Sequence, residues 1–257
     1  MKRLVDSIRK QIELCPGRIS LWVEIGDWSF EHDSERVYSS ASLIKVPILI
    51  EVLRQNEKGL FSLADSLQIG EGQRVGGSGV IQALEQSFWT IKDLMTLMIT
   101  VSDNTATNML IELLGMDAVN ESMELMGLKK TKLQRNMMDF TALQQGTDNQ
   151  TCASDMIRCL KVIDECGFLT EKSCHEAKKI LQHQQFYKIL ELLDSDKGYM
   201  GSKSGSLPGV EHDCAIINYE GKTAYVAILI DQIPDGKSGT LSMKEIGKAV
   251  FDAMTTV

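Results

Sequence analysis

The chain has 257 residues, 43% hydrophobic and 24% charged, with a formal net charge of −8. That is the balance of a soluble globular protein with room for one large domain or two interlocked ones. The acidic total, with no basic patch, argues against nucleic acid or an anionic membrane as partner, and no segment is apolar for long enough to span a bilayer.

In chain order, Met1 to Lys10 is charged throughout and lacks the apolar centre of a signal peptide, so residues 3–14 read as an amphipathic helix. A cytoplasmic location is the expectation, with a secreted chain numbered from its mature end as the alternative. Arg18–Ile25 alternates and is rich in β-branched residues, so it reads as a strand, turned by Gly26-Asp27 into a second strand from Trp28. A helix is expected from Ser42 to Glu57, with Gly59 just beyond it. A loop holding Gly70, Gly72, Gly76, Gly77 and Gly79 follows. Apolar helical segments come next at Ile91–Val101, Thr105–Leu114, Met116–Met126 and Ala153–Cys166.

Residues 128–151 between them are polar and irregular, longer than an ordinary connection and therefore a functional loop. Tyr199–Ser206, Glu211–Tyr219 and Thr223–Asp231 read as strands, the last two joined at Glu220-Gly221-Lys222, and a final helix covers 240–254. Strands at both ends with helices between predict one α/β sheet layer with a helical insert packed on it. Residues 1–38 and 183–257 form the sheet part, 39–182 the helical part, and the active site lies between. The six cysteines form no C-x-x-C pair and read as free thiols.

Three short patterns carry chemistry. Ser42-Leu43-Ile44-Lys45 places a hydroxyl at the start of an apolar helix with a lysine one turn along. Alone, it fits a capping serine beside a solvated lysine better than it fits chemistry. Ser7-Ile8-Arg9-Lys10 has the same spacing but lies on the first helix without partners. Ser102-Asp103-Asn104 interrupts an apolar helical run, where polar groups are costly to bury without partners, although a capped turn explains it as well.

Lys203-Ser204-Gly205 sits in a strand whose alternation sends Lys203 and Gly205 to one face and Ser204 to the other. Small residues around it allow a substrate backbone to approach. Lys237-Ser238-Gly239 repeats the triplet in what reads as a loop. Together the three patterns supply a nucleophile, a lysine to take its proton, a second hydroxyl to relay it, an orienting amide and another cation. That is the kit of an acyl-transferring serine hydrolase. The four histidines have no metal-ligand spacing, so no metal or other cofactor is expected. His212 is the one histidine worth testing as part of a triad.

These motifs resemble those of class A β-lactamases and penicillin-binding proteins. Sixty residues separate Ser42 from Ser102 and 101 separate Ser102 from Lys203, as in class A β-lactamases. The run from Trp89 to Asn108 and Ser206-Leu207-Pro208-Gly209-Val210 extend the likeness over nearly the whole chain from about residue 17. The resemblance implies an antiparallel sheet flanked by the N- and C-terminal helices, plus an all-helical domain. It implies that Ser42 attacks the acyl carbon, that Lys45 takes or relays its proton, and that Ser102, held by Lys203, protonates the leaving nitrogen. Asn104 would bind the substrate's side-chain amide, and Ser204 its carboxylate. The N–H groups of Ser42 and Ser206 would form the oxyanion hole beside Gly205. The substrate would be a small β-lactam or a peptide-like amide.

Two departures stand out. The family's loop carries a glutamate two residues after an arginine, to activate water against the acyl-enzyme. Arg135 matches the arginine, with Asp148 or Asn149 as its partner, but the glutamate's position holds Met137. No glutamate occurs between Glu124 and Glu165, and Asp139 is the nearby acid that could act as a base. No arginine follows Arg158, so the strand arginine that binds substrate carboxylate in some relatives is missing. The reading is an acylating serine hydrolase with impaired deacylation. A D-alanyl peptidase or penicillin-binding protein, an intracellular esterase or amidase, and a non-catalytic sensor that stays acylated are the alternatives.

Overall fold

The computed structural model describes residues 1–193, 198–234 and 236–256. The chain opens with helix α1 (Lys2–Leu14), whose buried Leu4 and Ile8 stand four residues apart on one face. Strands β1 (Arg18–Ile25) and β2 (Trp28–His32) form the expected hairpin. A two-residue strand, β3 (Tyr38–Ser39), leads into a 3₁₀ turn over Ala41–Ile44 and then into α2 (Lys45–Glu57). Strands β4 (Ser66–Gln68) and β5 (Phe88–Thr90) bracket the glycine-rich loop.

The helices α3 (Ile91–Thr100), α4 (Asn104–Leu114) and α5 (Met116–Leu125) follow as the periodicity predicts. The long loop carries a five-residue helix, α6 (Phe140–Gln144), and a short strand, β6 (Gln150–Thr151), that pairs with β3. Helices α7 (Ala153–Glu165) and α8 (Glu171–Gln182) precede β7 (Tyr199–Leu207), β8 (Val210–Tyr219), β9 (Lys222–Asp231) and α9 (Gly236–Thr255).

Both ends of the chain enter one antiparallel sheet of order β2-β1-β9-β8-β7, with Leu21 opposite Ile228 and Lys203 opposite Cys214. Successive residues of β8 alternate between two cores, as the pleat requires. Ala215 and Ile217 join Leu4, Ile8, Met243, Ile246 and Val250 under α1 and α9. Cys214 and Ile216 join the helical core around Ile48, Leu49, Val52 and Leu53. With both faces covered, the strands read as almost continuous apolar runs. Helix α2 is buried nearly all round, which marks it as the central helix of that layer. Its one buried acid, Glu51, is held by Arg54 and Gln55.

Three expectations change. The sequence reading did not set α8 apart as its own helix. Residues 128–151 are more ordered than a bare loop. Helix α9 begins at Gly236, not 240, so the second Lys-Ser-Gly run falls in its first turn and not in a loop; Asp235 lies outside the described residues. All six cysteines are free thiols. Among the described residues no helix is long and apolar enough to cross a membrane.

Candidate active site

The nucleophile candidate sits where α2 meets the sheet. Ala41 adopts a left-handed φ of 45°, which turns the chain from β3 into the 3₁₀ turn. In a 3₁₀ turn residues i and i+3 eclipse, so Ser42 and Lys45 project to the same side. Ser42 is half-buried, while Lys45 and Lys203 are among the largest fully buried side chains of the protein.

Buried lysines need partners. Lys45 Nζ donates to Ser102 O (2.7 Å) and Asn104 Oδ1 (2.9 Å) and lies 3.0 Å from Ser102 Oγ. Lys203 Nζ approaches the same Ser102 Oγ at 3.2 Å and donates to Ser204 O at 2.6 Å. One hydroxyl therefore bridges two amines. Burial first, and the Lys203 charge second, push Lys45 well below its ordinary pKa, against the pull of Asp103. Lys203 is lowered to about 7, mainly by burial; Asp213 pulls it up and Lys188 pushes it down. As a neutral amine, Lys45 can spend two hydrogens on Ser102 O and Asn104 Oδ1 and accept the Ser102 hydroxyl proton on its lone pair. Among the described residues no hydrogen bond joins Ser42 Oγ to Lys45.

The Ser102-Asp103-Asn104 turn is held from below. Ser102 has φ 56°, a left-handed conformation that a non-glycine residue keeps only when its surroundings enforce it. Asp103 enforces it by capping α4 through Ala106 N while its other oxygen accepts from Val80 N (2.7 Å) and Ile81 N (2.8 Å). Gly79 must be glycine here, since a Cβ on it would fall 2.2 Å from Asp103 Oδ2. Asn104 spends its amide on Lys45 and on Gly76 O (3.0 Å), tying the glycine loop to the lysine.

Strand β7 closes the far side. A Cβ on Gly205 would lie 2.8 Å from Ser42 N, so only glycine lets the 3₁₀ turn seat against the strand. Lys203 and Gly205 face the helices as alternation predicts. Ser204 Oγ instead accepts from Gln184 Nε2 at 2.8 Å on the opposite face. Ser206 is exposed and donates to Glu211 Oε2 at 2.8 Å.

The loop from Leu133 to Asn149 is pinned along its length. Arg135 Nε donates to Asp148 Oδ1 (2.9 Å), while the Asn149 amide binds the backbone of Arg135 on both sides, at 3.0 Å each. Both partners offered by the sequence are thus used. Asn108 on α4 clamps the backbone of Met137, accepting from its N–H at 2.7 Å and donating to its C=O at 3.1 Å. Asn108 went unassigned in the sequence, although it stands one turn after Asn104 and so shares its face.

The next residue, Met138, is a third left-handed non-glycine residue at this site, with φ 64°. Asp139 caps α6 through Ala142 N at 2.9 Å. Among the described residues no hydrogen bond connects it to Ser42, Lys45, Ser102 or Lys203. A cavity of about 590 Å³ lies between this loop and the glycine loop, lined by Val75, Asn108, Met137, Met138 and Asp139.

His212 is buried with both ring nitrogens engaged, Nε2 with Ser39 O (2.9 Å) and Nδ1 with Ile230 N (3.2 Å). Burial lowers its pKa to about 4, which keeps it neutral. It ties β8 to the segment leading to Ser42 and faces backbone, not the Ser42 hydroxyl.

The chain is similar to known proteins. A sequence model described as the β-lactamase enzyme family matches residues 3–254. A β-lactamase from Rhodobacter capsulatus is 24% identical, over 97% of this chain and 88% of its own length. The crystal structure of a β-lactamase from Sphaerobacter thermophilus superposes with a TM-score of 0.91 at 29% identity, covering 99% of this chain and 97% of that one. A mutant of PBP-A, solved as its acyl-enzyme complex with penicillin G, superposes at 0.90 with 22% identity, covering all of this chain and 98% of that one.

Proposed function

Because the chain belongs to the β-lactamase enzyme family and has the fold of its serine hydrolases, we propose that it is acylated at Ser42 by a β-lactam or a related amide and releases the acyl group slowly. The observation that carries this reading is the convergence of Lys45 Nζ and Lys203 Nζ on Ser102 Oγ, with Gly205 drawn up against Ser42 N. On this reading the active site lies between a helical part, residues 39–182, and a sheet part, residues 1–38 and 183–257.

Neutral Lys45 takes the Ser42 hydroxyl proton as Oγ bonds to the acyl carbon, and the carbonyl oxygen becomes an oxyanion held by the N–H groups of Ser42 and Ser206. The oxyanion collapses, the C–N bond breaks, and the departing nitrogen takes the proton of Ser102. Lys45 returns its proton to Ser102 through their 3.0 Å contact. Lys203, at 3.2 Å, holds the relay hydroxyl in place. In this scheme Asn104 positions Lys45, and the amide of the substrate meets the β7 edge.

Hydrolysis of the resulting ester needs water and a base within hydrogen-bond reach. Where the resemblance puts the water-activating glutamate, the clamped backbone of Met137 carries a thioether, and one oxygen of Asp139 is engaged in capping α6. A long-lived ester is also what a penicillin-binding protein forms, and Met137 favours that neighbouring reading over an efficient hydrolase.

The test is intact-mass spectrometry after exposure to penicillin G. We expect one adduct of the whole penicillin that persists for minutes, absent in Ser42→Ala and unchanged in Ser7→Ala. An adduct that survives Ser42→Ala would remove Ser42 from the mechanism.

A further inference from the structure

The acylation chemistry above makes no use of the buried cation Lys188. Lys188 is only 8% exposed and lies on the segment between α8 and β7. Its backbone is fixed by Asp213, whose Oδ2 accepts from Lys188 N and Ile189 N, each at 2.8 Å. Its ammonium reaches Ser206 Oγ (3.0 Å), His212 O (3.1 Å) and Gly205 O (3.2 Å), and forms an ion pair with Glu211. Glu211 accounts for the charge of this lysine but not for its place, since an ion pair alone is better made in water than buried.

Its place is informative because of the peptide it touches. The C=O of Gly205 and the N–H of Ser206 belong to one peptide unit, and in a trans peptide they point in opposite directions. An ammonium on the Gly205 oxygen therefore lies at the end of the peptide unit opposite the Ser206 N–H. It draws electron density away from that N–H, strengthening it as a donor, and it fixes the plane of the peptide.

We propose that Lys188 is a positioning residue of acylation, which orients and polarises the Gly205–Ser206 peptide so that its N–H receives the oxyanion. The inference rests on the function proposed above. It places in this chain a cation that acts through the backbone of β7. Glu211 shares the ammonium and thereby limits its pull on the carbonyl.

The experiment follows acylation by penicillin G labelled with ¹³C at the β-lactam carbonyl, reading the acylation rate constant and the infrared stretch of the acyl ester. Losing an oxyanion donor outright costs about 10²–10³-fold in rate. Lys188→Met, which weakens one donor without removing it, is expected to slow acylation about tenfold and to shift the ester stretch to higher wavenumber; Lys188→Arg should retain most of both. Glu211→Gln, which frees the ammonium for the carbonyl, should shift the stretch the other way, and it serves as the deciding variant if Lys188→Met does not fold.

An unmoved stretch overturns the proposal, whether the rate is unchanged or falls only with thermal stability. So does a loss confined to reversible affinity for the penicillin carboxylate, which would make Lys188 a direct substrate ligand. If the wild-type protein forms no adduct at all, it is the acylation reading itself that has failed.

Discussion

The turn at Ser102 and the loop carrying Met137 are built with equal care to opposite ends. At Ser102, two fully buried lysines face one hydroxyl, and buried Asp103 fixes the strained backbone beneath it. In the loop, Arg135, Asp148, Asn149 and Asn108 hold the backbone just as firmly, yet the side chain presented there cannot take a proton. The loop has therefore not decayed. On the function proposed above, the main chain is held where a general base would be needed while its side chain is a thioether, which would separate forming an acyl-enzyme from breaking it down.

The sharpest way to break this contrast is Lys45→Ala. If Lys45 is the proton acceptor, acylation should fall by about 10²–10⁴-fold while the fold survives. A near-normal rate, measured by the mass shift against time, would pass the role to another group. Met137→Glu acts on the other side of the contrast. Asn108 already clamps that backbone, so the new carboxylate should shorten the adduct lifetime by about 10²-fold with little change in acylation. An unchanged lifetime would mean that the loop does not present its side chain to the ester.

The contrast has a pH signature as well. Lys203 titrates at about 7, and its cationic form is the one that holds Ser102. Acylation should therefore weaken as pH rises through about 7. Lys203→Arg, which stays protonated, should move that limb upward if the fork still reaches Ser102. A limb that stays in place would assign it to a different group. The smallest effect is expected for Asp139→Ala. Loss of the α6 cap should lower the melting temperature by about 2–4 °C and leave the adduct lifetime alone. A longer lifetime would identify Asp139 as a working, if slow, base.

Much of this was legible in the sequence, for reasons that differ by element. The bounds of β1 matched because alternation and a Gly-Asp turn delimit it, and the helices α3 to α5 matched because their apolar spacing is regular. Helix α8 was missed because the first half of its buried face is made by Ser173, Cys174 and Ala177, small side chains that carry little apolar periodicity. The motif trio could be read because its spacing is long-range and joint, while each motif alone was ambiguous.

Other features of the site were not legible. That Ser204 would turn to Gln184, or that Lys188 would lie behind Gly205, depends on how the 184–193 segment crosses the sheet. No local pattern encodes that crossing. The left-handed φ values of Ala41, Ser102 and Met138 were equally hidden, since glycine is the residue that announces such a conformation.

The sheet order has a consequence for how this protein is made. Strand β1 is synthesised early, but its inner neighbour is β9, so Leu21 must wait for Ile228. Until then, β1 and β2 form a two-stranded ribbon with an open, apolar edge, the kind of surface that recruits other chains. The helical core around α2 can assemble meanwhile from contacts nearer in the chain, but the strand seated against Ser42, β7 with Gly205, arrives late too. If Ser42 is the nucleophile proposed above, the nascent chain carries it from α2 until β7 without the strand that would complete an oxyanion hole, and completion of the sheet and competence for chemistry become the same late event.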